Sequence, residues 1–311
     1  MACLVHQAFA FALAELDAAG VRAKLPHLRS LPPELNASSL TRTLLTTAYQ
    51  PTENSGPTTR LAAKAVAEAV GARHLELDVA GVHRGYLAVV EQAMGRPLDW
   101  ATDDIALQNI QARVRSPGIW MLANLTGSLL LSTSNRSEAA VGYATMDGDT
   151  SGGLSPIAGI DKAFLRHWLR WMEWTGPADG APNPALAAVN VQTPTAELRP
   201  PGAHQTDEDD LMPYDLLDAV ERAAIRDKRA PVKVWQLMQT AFPQHTASQL
   251  AVWVERFFRL WSRNQWKRER YAPSFHLDDE NLDPKTWCRF PILSGGYARE
   301  LAALRAAADQ A

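Results

Sequence analysis

Apolar and small residues fill positions 2–14, and no Ser, Thr, Asp or Asn stands before them to cap a helix. A helix is therefore expected to be under way at Met1. Two accounts of that start carry equal weight: a natural N-terminal helix, or a helix whose preceding strand and loop are missing. Pro26, Pro32 and Pro33 mark 21–41 as a connecting loop. TRTLLTTAYQ (41–50), rich in Thr and Leu, predicts a buried strand. Ser55-Gly56-Pro57 is a turn with a Pro suited to an early helical position. Leu61, Ala65 and Val66 then recur at helical spacing over 58–70, and Gly71 closes that helix. HLELDV (74–79) alternates and predicts a second strand. A strand–helix–strand unit implies parallel pairing and a right-handed crossover.

Helical patterns follow at 82–94 and 104–126. SLLLSTSN (128–135) begins apolar and ends polar, as a third strand would. Ligands of open parallel sheets bind beyond the carboxyl ends of strands. Thr133, Ser134 and Asn135 sit at such an end, with Glu138 one turn further on. The plainer account is helix capping by Ser or Asn. YATMDGDTSGGLSPI (143–157) is a Gly- and Asp-rich loop whose backbone N–H groups are candidates for phosphate contact. FLRHWLRWMEW (164–174) predicts a helix with a Trp-rich face turned to the core. Residues 176–190 read as a surface linker. Four acids run from Asp207 to Asp210, either a solvated face or a Mg²⁺ holder. Residues 248–270 form a long amphipathic helical pattern that ends in a basic tail, and the C-terminal segment 248–311 is expected to be helical.

Composition narrows the class. With 311 residues, 46% hydrophobic and 21% charged, the chain has the make-up of a globular protein. A formal charge of −3 leaves no nucleic-acid footprint over the whole surface. The best membrane-span candidate, 119–131, is too short and is broken by Asn124, Thr126 and Ser128, so no membrane association is expected. The N-terminus lacks the basic region of a signal peptide. Two cysteines, Cys3 and Cys288, suit a reducing compartment, and a cytoplasmic location is expected. There is no GxGxxG, Walker A, CxxC or HExxH pattern.

Longer strings are more specific. NIQARVR (109–115), LLLSTSNRSEAAVGYATMDGDTSGGLSPI (129–157), PTAEL (194–198), QTDEDDL (205–211) and RNQWKRERYAP (263–273) follow one another in one order. Together they resemble the synthetase domain of bacterial glutamine-dependent NAD⁺ synthetases, over nearly the whole chain, 1–311. The resemblance implies an α/β fold of the adenine-nucleotide α-hydrolase (ATP pyrophosphatase) type, a parallel sheet flanked by helices. It implies ATP-dependent amidation of deamido-NAD⁺ through an acyl-adenylate, with ATP, Mg²⁺ and ammonia, in a homo-oligomer. Arg113 and Lys267 match positions that contact the dinucleotide, and a guanidinium fork suits phosphate or carboxylate. Thr133, Lys162 and Thr195 match ATP-contacting positions, Lys162 stabilising charge during adenylation. Glu138 matches a magnesium ligand, and Asp207 is a further candidate carboxylate for the metal.

The departures are instructive. Met146 stands where the small ammonia-dependent enzymes carry a Lys. The family's Ser-Gly-Gly-x-Asp-Ser string does not occur in the 311 residues; both Ser-Gly-Gly triplets, at 151–153 and 294–296, continue differently. The uncapped start then fits a chain that begins just after the first strand and its ATP loop, with an exposed sheet edge. On that account little synthetase activity is expected. No room is left for the nitrilase-like amidase domain, so ammonia is expected from solution or from a separate amidase domain. The competing expectation is a truncated, impaired remnant that keeps dinucleotide binding. A third is another ATP pyrophosphatase with a different acyl acceptor.

Overall fold

The computed structural model describes residues 1–28, 31–177, 181–200, 202, 206–275 and 277–310. Parts of the expected linker (178–180) and of the acidic motif (Gln205) lie outside the described residues. In chain order the elements begin with α1 (Ala2–Lys24), α2 (Ala37–Leu44), β1 (Thr46–Tyr49), α3 (Pro57–Ala69), β2 (Arg73–Glu76), α4 (Ala80–Met94) and α5 (Trp100–Thr126). There follow α6 (Arg136–Val141), α7 (Lys162–Trp174), α8 (Ala187–Asn190), α9 (Asp207–Asp210) and α10 (Tyr214–Glu221). The last are α11 (Pro231–Ala241), α12 (Ala247–Arg263), α13 (Gln265–Arg268) and α14 (Ala298–Ala308). The chain forms two compact units. One comprises Met1–Gln111, Trp168–Thr193 and Glu197–Ala203; the other comprises Ala112–His167, Pro194–Ala196 and His204–Ala311.

In the first unit β1 and β2 pair in parallel, Thr46 against Arg73 through Tyr49 against Glu76, across the α3 crossover. This is the α/β arrangement that the alternation predicts. The first strand is shorter than expected. Asn36 accepts from the Ser39 N–H and Ser39 returns the bond, a capping box that opens α2, so 41–44 are helical. Only Thr46–Tyr49 remain extended. Leu61 points to solvent at 64% exposure, and α3 buries Ala62 and Ala67 instead. The core of this unit joins Cys3, Val70, Met172 and Leu186, with Trp168 against it. Trp171 and Trp174 are exposed, so the Trp face of α7 is only partly core. By length and composition α1 is apolar enough to span a membrane, a better candidate than 119–131. Asp17 leaves helical geometry within it (φ 58°, ψ −178°).

In the second unit the expected third strand shrinks to one parallel bridge, Leu131 to Leu154. Ser132 N–H donates to Leu154 O (2.9 Å) and Gly153 N–H to Leu130 O (2.8 Å). The approach requires Gly152, since a Cβ there would lie 2.6 Å from Ser132 N. Beyond Ser132 the chain turns into the cap of α6, which ends the extension. The core packs α10, α11, α12 and α14 around Leu217, Val234, Phe257, Trp261 and Leu304. The long C-terminal helix is broken at Asn264, between α12 and α13, and the described residues of 269–297 are largely irregular before α14.

Candidate active site

Ser132 and Ser134 are buried and Thr133 between them is exposed, as alternation at a strand end requires. Asn135 caps α6: its side chain accepts from Glu138 N–H (3.0 Å), and Glu138 Oε2 accepts from Asn135 N–H (3.3 Å). The capping role is therefore real, and it fixes Glu138 in the first turn of α6. Glu138 Oε1 in turn accepts from Lys162 Nζ at 2.8 Å. Lys162 is the first residue of α7, and its ammonium lies 5.6 Å from the centre of the Tyr214 ring.

Of the acidic run, Asp209 and Asp210 face solvent, while Asp207 is only 5% exposed. Asp207 Oδ2 accepts from Tyr214 OH (2.8 Å), and Oδ1 is buried with no hydrogen-bond partner among the described residues. Burial pushes this carboxyl above the usual carboxylate range. The charges of Glu138 and Asp210 push the same way, against the Tyr214 bond and Lys162. Glu138, Lys162 and Asp207 thus form one electrostatic group. Asp207 N–H donates to Pro194 O, next to the exposed Thr195.

A second set of cations gathers on the loop after α6. Lys267 Nζ donates to Gly142 O and Ala144 O, each at 2.7 Å. Burial lowers its pKa; the negative charge of Asp149 opposes this, and the positive charge of Arg113 adds to it. Arg113 is exposed and donates through Nε to Met146 O (3.1 Å). The Met146 side chain is buried with Ala139 and Tyr271, so this position serves the core. The loop does not offer an open row of N–H groups. Thr145 N–H binds Asp149, Asp147 N–H binds Thr150, and those of Gly148 and Ser151 bind loop carbonyls.

A charged layer that no sequence motif marks lies beneath. Arg136, 3% exposed, donates to Asp161 (2.6 Å), Asp278 (2.8 Å) and Glu280 (3.1 Å). Asp161, Asp218 and Glu221 bring ligand-capable oxygens within 4.8 Å of one another. Arg136 Nε already lies among them, 3.6 Å from Glu221. Asp218 and Glu221, three apart among Leu216, Leu217 and Val220 on the buried face of α10, were the available signal. Glu138 and Asp207 belong to no such threefold group among the described residues. They nevertheless suit Mg²⁺, which usually takes one or two protein carboxylates alongside substrate phosphates.

A family model described as NAD synthase matches residues 33–270. The chain is 31% identical over 261 residues to a glutamine-dependent NAD(+) synthetase of Oryza sativa, covering 78% of this chain and 35% of that protein. It is 33% identical over 215 residues to that of Rhodobacter capsulatus, covering 68% and 36%. The crystal structure of a glutamine-dependent NAD(+) synthetase from Cytophaga hutchinsonii superposes with a TM-score of 0.82 at 46% identity, covering 97% of this chain and 49% of that one. An NMN synthetase from Francisella tularensis shares the fold at 19% identity, TM-score 0.52, over 74% of this chain and 79% of that one. The chain thus spans about a third to a half of the length of the glutamine-dependent proteins it matches.

Proposed function

We propose that this chain, which belongs to the NAD synthase family, carries the amidation of deamido-NAD⁺ to NAD⁺. In that reaction an oxygen of the nicotinic acid carboxylate attacks the α-phosphorus of ATP, and the bond to pyrophosphate breaks. Ammonia then attacks the acyl carbon and loses a proton, and AMP leaves. The observation that carries the reading is the Glu138–Lys162 pair beside Asp207, whose buried Oδ1 is unpartnered.

Lys162 stabilises negative charge on the phosphates as adenylation proceeds, a role worth about 10²–10³ in rate for a preorganised donor. Thr133 and Thr195, both exposed, offer hydroxyls to ATP. Glu138 and Asp207 would hold Mg²⁺, which when bound neutralises the pyrophosphate leaving group. Arg113 and Lys267 orient the dinucleotide. An ammonium has three donors and Lys267 uses two on carbonyls, which leaves one for a ligand. Ammonia comes free or from glutamine through a separate amidase domain. The reading includes a cytoplasmic location, with which unpaired Cys3 and Cys288 agree, and a homo-oligomer.

A second reading, dinucleotide binding without turnover, is favoured by the separate Arg113–Lys267 group. The test is NAD⁺ formation from deamido-NAD⁺, ATP, Mg²⁺ and ammonium. Turnover that vanishes in Glu138→Ala supports the synthetase. Saturable deamido-NAD⁺ binding, weakened by Arg113→Ala and without turnover, supports the second reading.

A further inference from the structure

The first N–H groups of a helix have no partner within it. In α7 they are satisfied from outside. Lys162 N–H donates to Ser137 Oγ (2.8 Å), and Ala163 N–H donates to Asp218 Oδ2 (3.1 Å). Ser137 OH donates to Asp218 Oδ1 (2.5 Å). Ser137 is fully buried and Asp218 is 6% exposed. The residue that would ordinarily cap α7 is Asp161, directly before it, but its Oδ1 accepts from Arg136 Nε at 2.6 Å. The start of α7 is therefore anchored to α6 and α10 rather than to its own loop. Three consecutive residues of α6 face this start: Arg136 meets Asp161, Ser137 meets the Lys162 backbone, and Glu138 meets the Lys162 ammonium.

We propose that Asp218 is the positioning residue of the Glu138–Lys162 pair, holding the first turns of α6 and α7 in one register through Ser137. The proposal rests on the reading of Glu138 and Lys162 as the ATP-side pair. Asp218 touches neither side chain, so its effect passes through the backbone of Lys162 and through Ser137, the neighbour of Glu138. A carboxylate suits the post because it accepts from two donors at once. An asparagine of the same shape has one acceptor oxygen and would turn an NH₂ toward the other donor.

The test is ATP binding to the 311-residue chain with Mg²⁺ present, measured by calorimetry at pH 8, where Asp218 is ionised. Asp218→Asn is expected to weaken ATP binding roughly ten- to hundred-fold, the range seen when groups that orient metal ligands are lost. Deamido-NAD⁺ affinity, set by Arg113 and Lys267, should move less than about twofold. In a Lys162→Met background Asp218→Asn should cost less than it does in the unaltered chain, because coupled sites are not additive. Independent, multiplicative losses, or an unmoved ATP affinity, overturn the proposal. Ser137→Ala, which breaks the bridge without altering charge, should weaken ATP binding in the same direction. Hydrogen exchange supplies a readout free of ligand: the Lys162 and Ala163 amides should exchange faster in Asp218→Asn while the α10 core stays protected. Unchanged exchange overturns the tie. If Lys162→Met leaves ATP affinity untouched, the functional reading of the pair fails, and amide exchange alone decides the register claim.

Discussion

The ammonium of Lys162 lies 2.8 Å from Glu138 Oε1 although 24 positions separate the two residues. Neither is deeply buried, with side chains 22% and 18% exposed. A partly solvated ion pair contributes at most about 1 kcal/mol to stability. Lys162→Met should therefore shift the thermal midpoint by only a few degrees. A collapse of the fold in thermal unfolding would mean that the pair is structural.

Gly142 ends α6 in the left-handed region (φ 67°), and its carbonyl holds Lys267. An alanine Cβ there would lie 2.4 Å from Asn264 Cβ. Gly142→Ala should destabilise by about 1–3 kcal/mol in urea unfolding and weaken deamido-NAD⁺ binding by displacing Lys267. Unchanged binding would separate Lys267 from the ligand.

Arg268 is 2% exposed, stacks 3.7 Å from the Trp261 ring centre and donates to Ala140 O, Trp261 O and Gln265 Oε1. Arg268→Met removes the donors and leaves buried acceptors unsatisfied. The cost should reach about 3 kcal/mol or more, read as a lower denaturation midpoint. Lys at this position should recover only part, because it cannot reproduce the planar fork.

The Asn135 cap and the place of Glu138 in the first turn of α6 were legible from neighbouring residues. Lys162 was singled out only through the family resemblance, because 24 positions separate it from Glu138. Asp218 was not, because its partner Ser137 is 81 positions away, and two acids among the apolar residues of α10 name no partner by themselves. The first half of 41–50 was misread because Thr and Leu suggest a strand. The Asn36–Ser39 capping box, just upstream, decides for helix. The bridge at Leu131 depends on Gly152 meeting Ser132, a contact that spacing along the chain does not reveal.

Burial pushes Asp218 up to about 7, and Glu221 is raised well above the usual range by burial first and by Asp161 second. The folded chain then keeps protons that the unfolded chain has released. The stability that Asp218 contributes is therefore present below about pH 4 and is lost as pH rises to its folded value of about 7. Carboxylates held low by Arg partners, such as Asp104 beside Arg199, act in the opposite sense at lower pH. Thermal midpoints across this window should slope less in Asp218→Asn. An identical slope would remove Asp218 as the source.

Val82, Tyr86, Val89, Val90 and Met94 are all 45% exposed or more and fall on one face of α4. The homo-oligomer proposed above would bury this face, so Val89→Glu is expected to lower the sedimentation coefficient. An unchanged coefficient would contradict burial of this face.

Pyrophosphate–ATP exchange tests the central claim most directly, because it reads adenylation without ammonia. The account predicts exchange that requires deamido-NAD⁺ and falls about a hundredfold or more in Lys162→Met. Exchange that persists undiminished without the Lys162 ammonium would contradict it.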